Sequence, residues 1–246
     1  MEKAHKRLIE AAKKDIYLVH KKEIFNYYKT TNENGMPFGG TLFSPFEIIL
    51  LCSGEYYIKA SPLLFDEVVT FLTTNEYSLF SDDDINKFLN SINGILNKLN
   101  WNIDSRSYNY STVYALENLE SLNISKILNT TVEITAPTDY TNISGSYNVA
   151  DGSNTYFCTV LNDKIVSICG YSYIGFESVD IGTATNESYR QKGYATSNVV
   201  SMAKYILEKE KGVLYSCRHT NDISQKIALS AGFAPAANRY ILYCTV

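Results

Sequence analysis

Thr183-Ala184-Thr185-Asn186-Glu187-Ser188-Tyr189-Arg190-Gln191-Lys192-Gly193-Tyr194-Ala195-Thr196 is the stretch on which the reading of this sequence turns. A β-rich run over residues 179–185 enters a tight polar loop, and the loop enters an amphipathic helix over 193–210. Ala195, Val199, Met202, Ala203 and Ile206 fall on its inward face, with Asn198, Lys204 and Lys209 outward. Gly212 ends it, as glycine does at helix C-termini. A helix N-terminus leaves its first N–H groups unpaired and carries about half a positive charge from the aligned peptide dipoles. The N–H groups from Gln191 to Thr196 converge there. Gly193 lets backbone approach a ligand with no Cβ in the way, and Ala195 adds little bulk beside it. These are the physical requirements of a pyrophosphate cradle. G-x-x-x-x-G-K-[ST] and G-x-G-x-x-G are both absent, so neither a P-loop nor a Rossmann turn is present.

Working outward, residues 155–161 and 165–174 are β-rich runs joined at Asn162-Asp163, a hairpin turn pair. After the helix, 213–217 reads as a strand. Asn221 or Asp222 caps a helix to Ala231, closed by Gly232, and 240–246 reads as a final strand. The order is hairpin, β, α, β, α, β, a mixed α/β arrangement. Thr131-Val132-Glu133-Ile134-Thr135 is strand-like, a turn-rich stretch follows over 138–153, and the composition shifts near 130. Two domains are therefore expected, 1–129 and 130–246. In the first, the spacing of Leu8, Ile9, Ala12, Ile16 and Val19 predicts a helix over 2–29. A strand is expected over 43–53, with a hairpin partner at 55–59 across Gly54. Ser61-Pro62 opens a helix to about 72. Ser81-x-x-Asp84 resembles a capping box ahead of the stripe Ile85, Phe88, Leu89, Ile92, Ile95, Leu96 and Leu99. A strand over 107–116 and a short helix over 117–128 complete the expectation.

Arg190-Gln191-Lys192-Gly193-Tyr194-Ala195 matches [QR]-x-x-G-x-[GA], and Asn221-x-x-Ser224 followed by Gly232-Phe233 stands downstream. With the strands and helices around them, these resemble the GNAT superfamily of acyl-CoA N-acyltransferases over about 131–246. The N-terminal half resembles, more loosely, the extra domain of a bacterial two-part GNAT subfamily. The resemblance implies a GNAT-type mixed sheet with splayed central strands and an N-terminal α/β accessory domain. It also implies acetyl-CoA as co-substrate, with no metal. Pantetheine would lie between the strand ending at Thr185 and the strand over 213–217, against Thr183, Ala184 and Thr185. The pyrophosphate would sit on Arg190, Gln191, Lys192, Gly193, Tyr194, Ala195 and Thr196, with Asn221 and Ser224 toward the pantetheine arm.

By the same resemblance, the reaction is direct attack of an amine on the thioester. The amine must lose a proton to attack, so a base or a water chain is needed. The oxyanion takes a strand-backbone N–H. Many members use a helix Tyr as acid for the departing thiolate. That position is Ala228 here, and Tyr194, Tyr215, Tyr171 and Tyr173 are substitutes that spacing does not separate. For the base, Glu177 shares strand parity with Val179, Ile181 and Thr183 and is aimed at the cleft, whereas Asp180 has the opposite parity unless a bulge intervenes. His219, which follows the strand over 213–217, is the third candidate, histidine being a common general base. Cys217 reads as a buried thiol. Residues 138–154 are too short for the two helices GNAT folds place between their first two strands. The N-terminal half, with Tyr27, Tyr28, Tyr56 and Tyr57, is therefore expected to wall the acceptor side.

The bulk composition agrees. The 246 residues are 45% hydrophobic and 20% charged, enough to bury a core. A net charge of −4 argues against nucleic acid or an anionic membrane as partner. No apolar run approaches the roughly 20 residues of a membrane span. Five cysteines without a C-x-x-C pair suggest free thiols in a reducing cytoplasm. The expectation is a cytoplasmic monomer or homodimer that acetylates a small amine. The alternatives are a non-catalytic acyl-CoA-binding or sensing module and a protein or peptide N-acetyltransferase.

Overall fold

A computed structural model describes residues 16–22, 25–30, 36–39, 41–75, 80–135, 155–174 and 178–246; for 16–39, 75, 172–174 and 178 only the backbone is described. In chain order the elements are β1 (Ile16–Lys22), β2 (Phe25–Thr30), β3 (Met36–Gly39), β4 (Leu42–Leu51), β5 (Tyr56–Ala60), α1 (Phe65–Asn75), α2 (Asp82–Lys98), β6 (Asn102–Ile103), β7 (Ser111–Leu116), β8 (Thr131–Thr135), β9 (Thr155–Leu161), β10 (Lys164–Ile174), β11 (Ser178–Thr185), α3 (Tyr194–Leu207), β12 (Gly212–Arg218), α4 (Asp222–Ala231) and β13 (Ala234–Thr245). Contact density separates two units. Among the described residues, one spans 113–235 and the other joins residues up to 112 with 236–246.

In the second unit the strand order is β1-β2-β5-β4-β13, with β3 on β4 and β6 on β13. One face of the sheet carries Phe46, Ile48, Ile58 and Ala60, all fully buried beneath α1 and α2. Ser81 caps α2 as expected, and the Asp84 carboxylate takes the Ser81 hydroxyl at 2.7 Å. Ser81 Oγ accepts the Asp84 N–H at 3.1 Å, and the α2 stripe of Ile85, Phe88, Leu89, Ile92 and Leu96 is buried. The alternate parity carries charge: Glu47 and Lys59 are a buried ion pair, and Arg239 Nε lies 2.6 Å from Glu47 Oε1. Burial alone would raise the Glu47 carboxyl, but Arg239 and Lys59 outweigh it and hold it at about 2.

Several expectations are corrected here. The helix expected over 2–29 is replaced, where described, by the antiparallel pair β1 and β2. Tyr17, Val19, Phe25, Tyr27 and Tyr28 are β-branched or aromatic, and pairing in a sheet overrides the 3.6-residue spacing. The helix opening at Ser61-Pro62 starts at Phe65 instead. Ser61 N donates to Pro45 O, continuing the β4–β5 pairing, and Leu64 N donates to Ser61 O, which closes a turn ahead of the helix. The short helix over 117–128 is a loop with a single 3-10 turn at Ile124–Lys126. Its asparagines bond locally, Asn118 Oδ1 accepting from Ser121 N at 2.9 Å and Asn123 Oδ1 from Ser125 Oγ at 2.7 Å, and such bonds compete with a helix. β7 begins at Ser111, after a 3-10 turn over Ser105–Tyr108. β13 starts six residues before the expected final strand.

The first unit has strand order β7-β12-β11-β10-β9-β8. Asn162 and Asp163 both have positive φ (51° and 58°), as the tight β9–β10 turn requires. α3 packs Val199, Val200, Ala203 and Ile206 against Cys169, Val179, Ile181, Val213 and Tyr215. α4 ends at Gly232, φ 103°, where an added Cβ would stand 2.0 Å from Ser121 O. Asn198 corrects the helix reading most sharply. Expected outward, it is fully buried. It stands four residues before the inward Met202, on the same face of the helix.

Candidate functional site

The site begins where two parallel strands part. β11 and β12 pair from Ser178↔Gly212 to Ile181↔Tyr215 and no further, yet β11 runs on to Thr185 and β12 to Arg218. Past the fork, residues 182–185 have no β12 residue in register. Their side chains are engaged elsewhere. Thr183 Oγ1 donates to Ile168 O at 2.8 Å, Ala184 packs on the Tyr156, Cys158, Ile165 and Ile168 cluster, and Thr185 Oγ1 lies 2.8 Å from Ser167 Oγ. What this segment presents toward the parted strand is its backbone.

The fork leads into the loop before α3. Gln191 (φ 62°) and Gly193 (φ 81°) are both left-handed, which turns successive backbone N–H groups toward one side. No side chain caps α3. Its first helical bond runs from Ser197 N to Gly193 O, so the N–H groups of Tyr194, Ala195 and Thr196 precede the ladder. A Cβ at Gly193 would meet nothing nearer than Leu128 Cδ1 at 3.8 Å. Glycine is needed there for its backbone angle, and the space in front of it is open. Arg190 is half-exposed, its Nη2 3.4 Å from Glu187 Oε1, and the Lys192 ammonium stands 5.2 Å from the Tyr189 ring centre. Such a set of amides, a helix N-terminus and two exposed cations fits a diphosphate.

Residues 128–234 match the family model described as the acetyltransferase (GNAT) domain. Over this segment, less than half of the chain, the sequence matches the GNAT acetyltransferase family. A GCN5-related N-acetyltransferase from Kribbella flavida is similar at 9% identity over 99% of this chain and 94% of its own, with a TM-score of 0.47. A GCN5-related N-acetyltransferase-like protein from Streptococcus suis 89/1591 is 11% identical over 94% of this chain and 83% of its own, TM-score 0.45. No curated protein matches the chain.

Within the GNAT domain, the sequence-selected carboxylates separate. Glu177 lies outside the described residues, as do residues 136–154. The parity that aims Glu177 at the cleft leads, at Val179 and Ile181, into the core under α3. A bulge does occur here, but β10 carries it, between Tyr171 and Tyr173 opposite Ile181 and Asp180. β11 keeps its alternation. Asp180 therefore takes the face opposite the α3 core, half-buried, one residue before the fork, and accepts from Ser216 Oγ of β12 at 3.1 Å. His219 follows β12, and its carbonyl accepts from Gln225 Nε2 at 2.5 Å. Asn221 Oδ1 is engaged as the α4 cap, accepting from Ser224 N at 3.1 Å.

Of the tyrosines, Tyr215 is the residue at the fork itself. It is 3% exposed, and burial pushes its phenol well up, partly offset by a bond to Ser224. Burial lifts Tyr171 to about 12. Ala228, at the usual acid position, is fully buried. Burial also lifts the Cys217 thiol to about 11, so it is protonated at neutrality and unsuited to nucleophilic attack. Among the described residues no cluster suited to a metal ion occurs, and no helix is long and apolar enough to cross a membrane.

Sequence reasoning missed the polar layer behind the cradle, formed by Asn198, Ser197, Thr131, Thr159 and Ser167. The signal was present in the four-residue spacing of Asn198 from Met202.

Proposed function

We propose that this GNAT domain moves an acetyl group from acetyl-CoA to the primary amine of a small-molecule acceptor. The observation that carries the reading is the continuity of the β11–β12 fork with the uncapped N-terminus of α3. One gap offers strand backbone to a pantetheine amide chain, and the same gap opens onto amides that suit a diphosphate. Thr183, Ala184 and Thr185 would line the arm. Gln191 to Thr196 would hold the pyrophosphate, with Arg190 and Lys192 adding charge. Asn221 and Ser224, at the start of α4, stand beside the end of β12.

The acceptor's neutral nitrogen attacks the thioester carbonyl carbon, a C–N bond forms, the C–S bond breaks, and the sulfur leaves as thiolate to be protonated. Asp180 is the carboxylate we assign to the ammonium and then to its proton. It stands beside the fork on the face away from the α3 core, oriented by Ser216. Glu177 and His219 remain the competing bases. General-base help of this kind is worth about 10²–10⁴-fold. Five free thiols suit a reducing cytoplasm.

A second reading, an acyl-CoA-binding module without turnover, is favoured by one observation: Ala228 puts no hydroxyl at the usual acid position. Calorimetry with CoA, followed by mass spectrometry of products from acetyl-CoA with a panel of small amines and lysine peptides, tests both. Acetylated small amines support the proposal. CoA binding without any acetylated product supports the module. Product from peptides alone moves the acceptor to a protein tail.

A further inference from the structure

The helix that opens the cradle and the strand that feeds it are joined through one buried amide. Asn198, in the first turns of α3, is fully buried, and its side chain reaches three strands. Its Oδ1 accepts from Thr131 Oγ1 of β8 at 3.1 Å and from Thr159 Oγ1 of β9 at 3.2 Å. Its Nδ2 donates to Ser167 Oγ of β10 at 3.1 Å. Ser167 in turn lies 2.8 Å from Thr185 Oγ1 and 3.3 Å from Ala184 O, at the end of β11. The neighbouring Ser197 Oγ takes the Leu128 N–H at 2.8 Å and lies 2.5 Å from Thr131 Oγ1.

Proton counting gives this layer a single direction. Leu128 N–H donates to Ser197, whose hydroxyl donates to Thr131. Thr131 and Thr159 then fill both lone pairs of Asn198 Oδ1. That leaves the Asn198 amide N–H to donate to Ser167, and the Ser167 hydroxyl to donate into the end of β11. Only a side chain with an acceptor and a donor on one rigid plane closes the chain. Asp would lack the donor, and Leu, of similar volume, would take the Asn198 partner from buried Thr159 and one bond each from Thr131 and Ser167.

We infer that Asn198 is a positioning residue for the pyrophosphate cradle, an inference that rests on the acyl-CoA reading above. The cradle loop spans 186–193, between Thr185 and Gly193. Asn198 holds Thr185 from one side through Ser167. It lies one turn beyond Gly193 on the helix whose first bond ends on the Gly193 carbonyl. The separation of the loop's two ends is thereby set by a desolvated network, and the amides are ordered before the ligand arrives.

The test compares acetyl-CoA with S-acetylpantetheine, which has the arm and the thioester but no pyrophosphate. In the full chain, Asn198→Leu raises KM for acetyl-CoA about tenfold by loosening the cradle. KM for S-acetylpantetheine rises by less, because Ala184 and Thr185 beside the arm stay paired to β10 through backbone, and kcat with saturating acetyl-CoA is retained. Ser167→Ala, which cuts the one link into β11, shifts the same ratio in the same direction by about threefold and serves if Asn198→Leu does not fold. A lowered melting temperature with an unchanged acetyl-CoA to S-acetylpantetheine ratio in both variants overturns the positioning role. A wild-type chain that does not favour acetyl-CoA over S-acetylpantetheine overturns the cradle reading itself.

Discussion

Replacing Gly193 by alanine isolates the conformational requirement of the cradle. Gly193 sits at φ 81°, and an added Cβ there has its nearest neighbour at 3.8 Å, so the substitution meets no clash. Its cost is that of holding an L-residue left-handed, about 1–2 kcal/mol. That cost has two places to appear. If the loop keeps its shape, the free protein carries it, and the melting temperature falls by roughly 2–8 °C for a chain of this size. If the loop relaxes to negative φ, stability is spared, but CoA must restore the shape on binding, and affinity falls about 5- to 30-fold. The two losses together should sum to the same 1–2 kcal/mol. Calorimetric titration with CoA and thermal unfolding on the same preparation measure both. Gly232→Ala is the contrast. There the Cβ would meet Ser121 O at 2.0 Å as well as φ 103°, so the loss should exceed that at Gly193 and fall on stability. Gly193→Ala with unchanged CoA affinity and unchanged melting would refute the left-handed cradle.

Asp180→Asn should lower kcat by about 10²–10⁴-fold with CoA affinity intact, and raising the pH should partly restore it as more acceptor is neutral; a larger loss in Glu177→Gln than in Asp180→Asn would transfer the role of base to Glu177. The Glu47 carboxyl is held at about 2 in the folded chain against 4.5 in the free side chain. Its folded pKa is depressed, so it contributes about 3 kcal/mol above pH 4.5, lost as pH falls from there toward 2. Urea unfolding at pH 6 and pH 3 should show the loss, and Glu47→Gln, which strands the buried Lys59 ammonium, should cost about 3–5 kcal/mol at pH 7 and flatten the acid dependence. Cys52 is the one exposed thiol, with Cys158, Cys169, Cys217 and Cys244 buried. Native labelling with an alkylating reagent should therefore proceed to a single adduct and leave any acetyl transfer intact; loss of turnover on labelling would reopen a thiol mechanism.

What was legible in the sequence was whatever depends on local chemistry. A strand followed by Arg190 to Ala195 requires a turn and a helix start, and Ser81, Asn221, Gly232 and the Asn162-Asp163 pair act through bonds to residues a few places away. The misreadings arose where a distant partner decides. Ile16 and Val19 satisfy a helical period and a strand equally well, and the pairing of β1 with β2, invisible in either segment alone, selects the strand. Asn198 is polar and so reads as outward until Thr131, Thr159 and Ser167, drawn from three strands 31 to 67 residues away, are brought around it. Asp180 is the instructive case, because its parity was legible while the identity of each face was not. Alternation places Val179 and Ile181 on one side and Asp180 on the other, but only the packing of α3 shows that the first side is core. A carboxylate on the core side at this depth would lose its hydration beneath α3, whereas Asp180 keeps Ser216 and a partly buried position next to the fork. Under the proposed function, the alternation that turns Asp180 away from the α3 core is what would let it take a proton there.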